Sequence, residues 1–392
     1  MTPESAFPAT LLACSTGERL RYFKAQLVGH KHLVETLAEV KRRVRCAQPG
    51  RLLLFYGPPG VGKTTLRQLL VKELIVENLA GMQADPGWLP AVAVEAIAPE
   101  RRAFDWADFY TRALRALHEP LLEHKIAYPA GLDYGVPEVK AGDQGRLLIQ
   151  AGTRPGRLRL ALENCLAYRH PLAFIVDEAP HLQNVGSGRR LREQMDTIKS
   201  LAETTRTVWL LIGTYDLLNL TNLSGQLSRR SRHLEFPRYR LGNPDDERAF
   251  RQVLVTLQQH LPFPEPACLV DDWQYVYDKS FGCVGVVKDW LVDAAGDALE
   301  DGTPRLEMDY LQKNEPSPDR LLNVFREIQE GERHAAEMAA HQVQLQQLLE
   351  ADRAMEQKRS RQTRSKPSGQ PARARVGERK PARDSVGRGS HA

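Results

Sequence analysis

The chain has 392 residues, 42% hydrophobic and 26% charged, which is enough for two or three domains and ordinary for a protein with a packed core. No stretch approaches the ~18 apolar residues a bilayer span needs. Leu11-Leu12-Ala13-Cys14 looks like a lipoprotein box, but the segment before it has no Lys or Arg and carries Glu4, Pro3 and Pro8, unlike a signal peptide. The five widely spaced cysteines, without Cys-x-x-Cys, argue against a disulfide framework or zinc site and for a reducing cytoplasm.

The net charge of +5 is uneven. From Lys358 onward there are 11 Lys/Arg and 2 Asp/Glu, a net of +9, so the preceding residues carry −4. Basicity belongs to the tail, and the pI alone does not make the remainder a nucleic-acid binder.

Residues 1–24 read as a short arm with weak periodicity. A helix is expected from about His30 to Arg45, with Leu33, Leu37, Val40 and Val44 on one face. Leu52-Leu53-Leu54-Phe55-Tyr56 is a continuous apolar run, as in a strand buried on both faces of a parallel sheet. Ala91–Ile97, Leu172–Val176 and Val208–Ile212 are three more, and helical patterns separate them. The class is therefore α/β, with a mostly parallel sheet flanked by helices. Between Leu121 and Gly156 the composition shifts to Pro, Gly and mixed polar residues, which marks an insertion at about 121–156.

Around Arg240–Asn243 the alternation gives way to helices. Asn243 suits an N-cap, Pro244 the first helical position, and Asp245, Asp246 and Glu247 the positive end of the dipole. Another helix carries Val284, Val287, Leu291 and Ala295. A long helix follows Pro316 and Pro318, roughly Asp319–Gln357, and the Arg/Ser/Gly/Pro-rich end from Lys358 has the composition of a disordered tail. The organisation expected is an arm over 1–24, a sheet domain over 25–240, a small helical lid over 241–312, a C-terminal helix over 313–357 and a basic tail over 358–392.

The strongest motif is Gly57-Pro58-Pro59-Gly60-Val61-Gly62-Lys63-Thr64, followed by Thr65. It satisfies G-x-x-x-x-G-K-[ST] and lies between a buried strand and a helix, the context a phosphate-binding loop requires. Backbone N–H groups and the helix dipole would cradle phosphates, Lys63 would reach the outer ones, and the Thr64 hydroxyl would ligate Mg²⁺. Phe174-Ile175-Val176-Asp177-Glu178 delivers two carboxylates to the sheet edge. Asp177 suits the Mg²⁺ shell and Glu178 a general base on water. His181 reads as a capping or surface residue.

Gly213-Thr214 after the fourth apolar run fits two roles: Thr214 contacts a γ-phosphate, or the pair caps the next helix. Ser228-Arg229-Arg230-Ser231-Arg232 offers an arginine finger to a neighbouring subunit's nucleotide, or a solvated or DNA-facing basic turn.

Together these motifs resemble AAA+ ATPases, P-loop NTPases with a helical lid. Gln26-Leu27-Val28-Gly29-His30 is similar to the stretch that family uses to contact adenine, which assigns Val28 and Gly29 to the ATP site. More narrowly, the chain resembles the TnsC/TniB group, ATPase regulators of multi-component bacterial transposons. The residues carrying this are Val176–Leu182, Ile198-Lys199-Ser200-Leu201, Gly213-Thr214, Gln226–Tyr239, and Gly282-Cys283-Val284-Gly285 with Ala294, Ala295 and Ala298.

The resemblance spans about residues 20–310. It places the finger on Arg230, with Arg229 the alternative. It implies a homo-oligomeric ring or helical filament on double-stranded DNA that links a target-selector protein to a transposase subunit. Arg101 and Arg102 fall where the group touches the DNA backbone, and Arg189, Arg190 and Arg192 form a second candidate cluster; either is equally a solvated face. Where many initiators of the family place a lid arginine, this chain has Gly285, with Lys288 about one turn later, so slow hydrolysis is expected. Two other readings share the core: a replication initiator or helicase loader, disfavoured because no winged-helix pattern follows the lid, and a secretion-associated ATPase, disfavoured by the lack of a membrane segment.

Overall fold

The computed structural model describes residues 6–98, 104–120, 155–183, 188–221, 231–267 and 269–364. Five parallel strands form one sheet: β1 (Leu52–Tyr56), β2 (Ala91–Glu95), β3 (Ala173–Asp177), β4 (Val208–Gly213) and β5 (Ser231–Glu235). Their spatial order is β2-β3-β4-β1-β5. Leu53 pairs with Leu210 on one side and Arg232 on the other, and Ile175 pairs with Leu210 and Ala93.

Helices explain why the central strands are apolar throughout. On one face, Leu53, Phe55, Ile175, Leu210 and Ile212 pack with Leu33, Leu37 and Val40 of α1 (Lys31–Cys46) and Leu66, Leu70 and Leu74 of α2 (Lys63–Glu77). On the other, Phe174 and Trp209 meet with ring centroids 4.5 Å apart. α3 (Trp106–Ala116) packs against β2 and α4 (Pro155–Arg169), which in turn packs against α5 (Gly188–Thr205). Strands wrapped on both faces lose the alternation of a half-exposed sheet.

A second apolar cluster belongs to the helical region. It unites Phe250, Val253, Leu254 and Leu257 of α6 (Pro244–Gln259), Val276 of α7 (Trp273–Ser280), and Val287, Leu291 and Ala295 of α8 (Val284–Glu300). Asn243 caps α6 by accepting from Asp245 N–H, with Pro244 at the first position. Phe23 and Val28 are buried in this same cluster.

Three boundaries differ from the sequence expectation. Residues Thr16–Ala25 form a helix rather than a loosely patterned arm, because Ser15 and Glu18 make a reciprocal capping box and Phe23 is buried. The second strand stops at Glu95, where its partner β3 also ends at Asp177; Ala96 N–H donates the last ladder bond to Asp177 O. The last helix, α9 (Pro318–Arg364), continues past Gln357 into the basic segment expected to be unstructured. The expected insertion lies, over 121–154, outside the described residues, as does the tail from 365 onward.

The chain divides into two compact units, 1–335 and 336–392. In the second, the described residues 336–364 are helical and expose Val343, Leu345, Leu348, Leu349 and Met355. No helix among the described residues is long and apolar enough to cross a membrane.

Candidate functional site

β1 delivers the Gly57–Gly62 loop to the start of α2, so the loop lies at the carboxyl end of the sheet, where ligands bind in open α/β folds. Gly60 and Gly62 adopt φ of 70° and 109°, conformations that suit glycine, and turn the loop into the helix. Lys63 is 9% exposed. Its ammonium donates to Gly57 O at 3.0 Å and Pro58 O at 2.8 Å. Burial pushes its pKa down, against the attraction of Glu178, Cys283, Glu327 and Asp177. Thr64 is exposed on the first turn of α2, and Thr65 lies beside it.

β3 ends two strands away at Asp177. Its carboxylate forms an ion pair with Arg67 Nε at 2.9 Å and accepts Glu178 N–H at 3.0 Å. Burial raises the Asp177 pKa while Arg67 opposes the rise. Arg67 was not legible as a site residue, yet it follows Lys63 by four positions, which puts both on one face of α2. Glu178 has a φ of 51°, a strained value for a non-glycine residue of the kind found where a side chain must be aimed. His181 is anchored elsewhere, with Nδ1 2.8 Å from Ala96 O.

β4 lies between β1 and β3 and ends at Gly213. The Thr214 hydroxyl donates to Asp216 Oδ2 at 3.2 Å, and Thr214 O accepts Leu217 N–H in a turn that leads into the short helix Leu217–Thr221. Tyr215, next in line, donates its hydroxyl to Glu235 Oε1 at 2.9 Å.

A pocket opens beside the loop. Gln26, Val28 and His30 line it together with Val61 of the loop, Thr65 of α2 and Lys288 of α8. His30 Nδ1 accepts Leu33 N–H and lies 3.0 Å from Tyr239 Oη. Burial, with His32 nearby, lowers the His30 pKa to about 4, so the ring is neutral near pH 7. The Lys288 ammonium donates to Lys24 O at 2.8 Å and also to Gln26 O. It therefore ties the lid helix to the 24–26 backbone and holds the pocket wall.

The lid meets the loop through backbone. Gly285 N–H donates to Gly60 O at 2.7 Å. A Cβ on Gly285 would sit 2.5 Å from that oxygen, so no arginine fits there without moving the helix.

The ends of β1, β4 and β3 thus carry the 57–65 segment, Thr214, and Asp177 with Glu178 at one edge of the sheet, and Val28 lines the pocket beside the loop. Arg229 and Arg230, which immediately precede β5, and Arg101 and Arg102 lie outside the described residues. Arg189, Arg190 and Arg192 occupy the first turns of α5, and their side chains are outside the described set.

Residues 45–221 match the family model described as AAA domain. No curated protein matches the chain. Solved structures with similarity include the Aeropyrum pernix ORC2 protein in ADPNP–ADP complexes, at 15% identity and a TM-score of 0.48, over 75% of this chain and 70% of that one. The Aeropyrum pernix ORC1 protein in complex with DNA gives 15% and 0.48, over 77% and 68%. Drosophila ORC bound to DNA gives 14% and 0.46, over 80% and 68%.

Proposed function

From the premise that this chain folds as an AAA+ P-loop ATPase, we propose that it binds ATP with Mg²⁺, assembles with other copies on double-stranded DNA, and hydrolyses the nucleotide slowly to disassemble. The observation that supports this best is the convergence of Lys63 with Asp177 and Glu178 at the carboxyl end of the sheet, beside a pocket that Val284, Gly285 and Lys288 of α8 help to line.

Each residue then has a role set by its chemistry. The 57–62 backbone and Lys63 hold the phosphates, with Lys63 exchanging its carbonyl partners Gly57 and Pro58 for phosphoryl oxygens. The wall at Gln26–His30, which Lys288 fixes, takes the adenine. Thr64 and Asp177 supply oxygen donors of the kind Mg²⁺ prefers, and the ion would neutralise charge on the outer phosphates. Glu178 takes the proton from the attacking water. Arg230, or Arg229, reaches a neighbouring copy's nucleotide; the arginine contributes charge stabilisation worth about 10³–10⁵ in rate in related phosphoryl transfers.

In its finer form the reading is a transposition regulator of the TnsC/TniB type. An ATP-dependent assembly on target DNA would join a target-selector protein to the transposase subunit. This rests on the sequence resemblance across residues 20–310, with DNA contacts assigned to Arg101 and Arg102 and to Arg189, Arg190 and Arg192.

Sedimentation with random-sequence duplex tests it. ATP-dependent co-sedimentation, insensitive to sequence and steeply weakened by salt, is expected. Replacing Arg101 and Arg102 should lower the salt slope by roughly one per lost phosphate contact. Tight binding without nucleotide, or to one sequence only, would contradict the reading and favour an initiator-like role.

A further inference from the structure

The first turns of α9, within the first compact unit, pack against Tyr215, which follows Thr214, and against Arg238 and Phe281. Three contacts fix them. Gly331 lies flat on the Tyr215 ring, one residue beyond Thr214, and any Cβ there would run into the ring. Glu332 forms a bidentate fork with Arg238, at 2.9 Å to Nε and 3.1 Å to Nη2, while Arg238 also donates to Tyr277 Oη and Phe281 O. Phe325 packs on Phe281 with centroids 5.2 Å apart, and Ile328 is fully buried. Residues 321, 325, 328 and 332 make a stripe at helical spacing, so this docking is a built interface.

Glu327 sits one turn before Gly331 on the same face. It is half-buried, and its charge interacts with Lys63 and with Asp216. Burial and the neighbouring Asp216 raise its pKa, while Lys63 lowers it. Lys63 is the side chain that the loop offers to outer phosphates, so Glu327 occupies electrostatic ground that a γ-phosphate would enter. Diphosphate, which ends one phosphoryl group short, would be less affected. The fork at Glu332 and the Phe325–Phe281 contact link this charge to the segment after β5 and to the lid, whose Val284, Gly285 and Lys288 line the pocket.

We propose that docking of the 318–335 turns and binding of a γ-phosphate are mutually antagonistic, with Glu327 supplying the opposing charge, so that the triphosphate releases this segment and the diphosphate does not. The inference rests on the ATP-site reading above and adds its regulation.

The test titrates the full chain, with Mg²⁺, against ADP and against the non-hydrolysable triphosphate adenylyl imidodiphosphate. Glu327→Gln removes the charge and keeps the shape. Gly331→Leu undocks the helix by collision with Tyr215. Each should raise the triphosphate-to-diphosphate affinity ratio by roughly tenfold, as expected for removing one like charge from a partly shielded site. Hydrogen exchange over 321–335 in the unaltered chain should be faster with the triphosphate than with ADP. An unchanged or lower ratio in Glu327→Gln, or slower exchange with the triphosphate, overturns the proposal while leaving the ATP site intact. Failure of the unaltered chain to bind either nucleotide overturns the site reading and this inference with it.

Discussion

Replacing Gly285 by alanine puts a methyl group 2.5 Å from Gly60 O, against the backbone of the loop. Neither partner can swing away as a flexible side chain could, so the lid helix must lift or the loop must shift. Overpacking of this kind costs about 1–3 kcal/mol, and loss of the 2.7 Å Gly285–Gly60 hydrogen bond adds about 1 kcal/mol. The seam joins two walls of the pocket, Val61 and Thr65 from the loop side and Val284 and Lys288 from the lid. Strain there should appear as weaker nucleotide binding, about thirty- to several-hundred-fold at ~1.4 kcal/mol per factor of ten. Titration of a fluorescent ATP analogue measures it. Gly17→Ala is the control, because nothing lies within 4 Å of that Cβ and the residue is helical; binding should not change. Equal affinity in Gly285→Ala and the unaltered chain would refute the claim that lid and loop build one site through this contact.

Glu178→Gln should keep ATP affinity and slow hydrolysis by about 10²–10⁴, the usual contribution of a general base; turnover at the unaltered rate in a phosphate-release assay removes Glu178 from that role. Arg230→Ala should bind ATP nearly normally but lose turnover and assembly, and mixing it with Glu178→Gln should restore part of the activity, because each copy then supplies what the other lacks. No recovery on mixing argues against action in trans, and a larger defect in Arg229→Ala moves the finger by one residue.

How much of this was legible depends on the range of the interaction. The phosphate loop could be read because its chemistry is local: consecutive residues make the turn, and the flanking strand and helix are adjacent in sequence. The central strands could be read because burial on both faces leaves unbroken apolar runs such as Leu52–Tyr56. The α6 start could be read because its cap, Asn243 with Pro244, lies within a few residues. The capping box Ser15–Glu18 carried a signal of the same kind, but the weak amphipathicity of residues 16–25 hid the helix. Contacts that join distant segments left no pattern. Arg67 meets Asp177 across 110 positions, Arg238 meets Glu332 across 94, and Lys288 reaches the backbone of residues 24 and 26. The seating of Gly285 on Gly60 belongs with these. The sequence reveals only that an expected arginine is missing there, and the close backbone approach supplies the physical reason.

Calorimetric titration of ATP with Mg²⁺ into the unaltered chain and into Lys63→Ala tests whether Gly57–Thr64 binds ATP through Lys63. Saturable heat in the unaltered chain and none in Lys63→Ala, with both proteins melting at similar temperatures, is the expected result. Equal ATP affinity in the two folded proteins would contradict it.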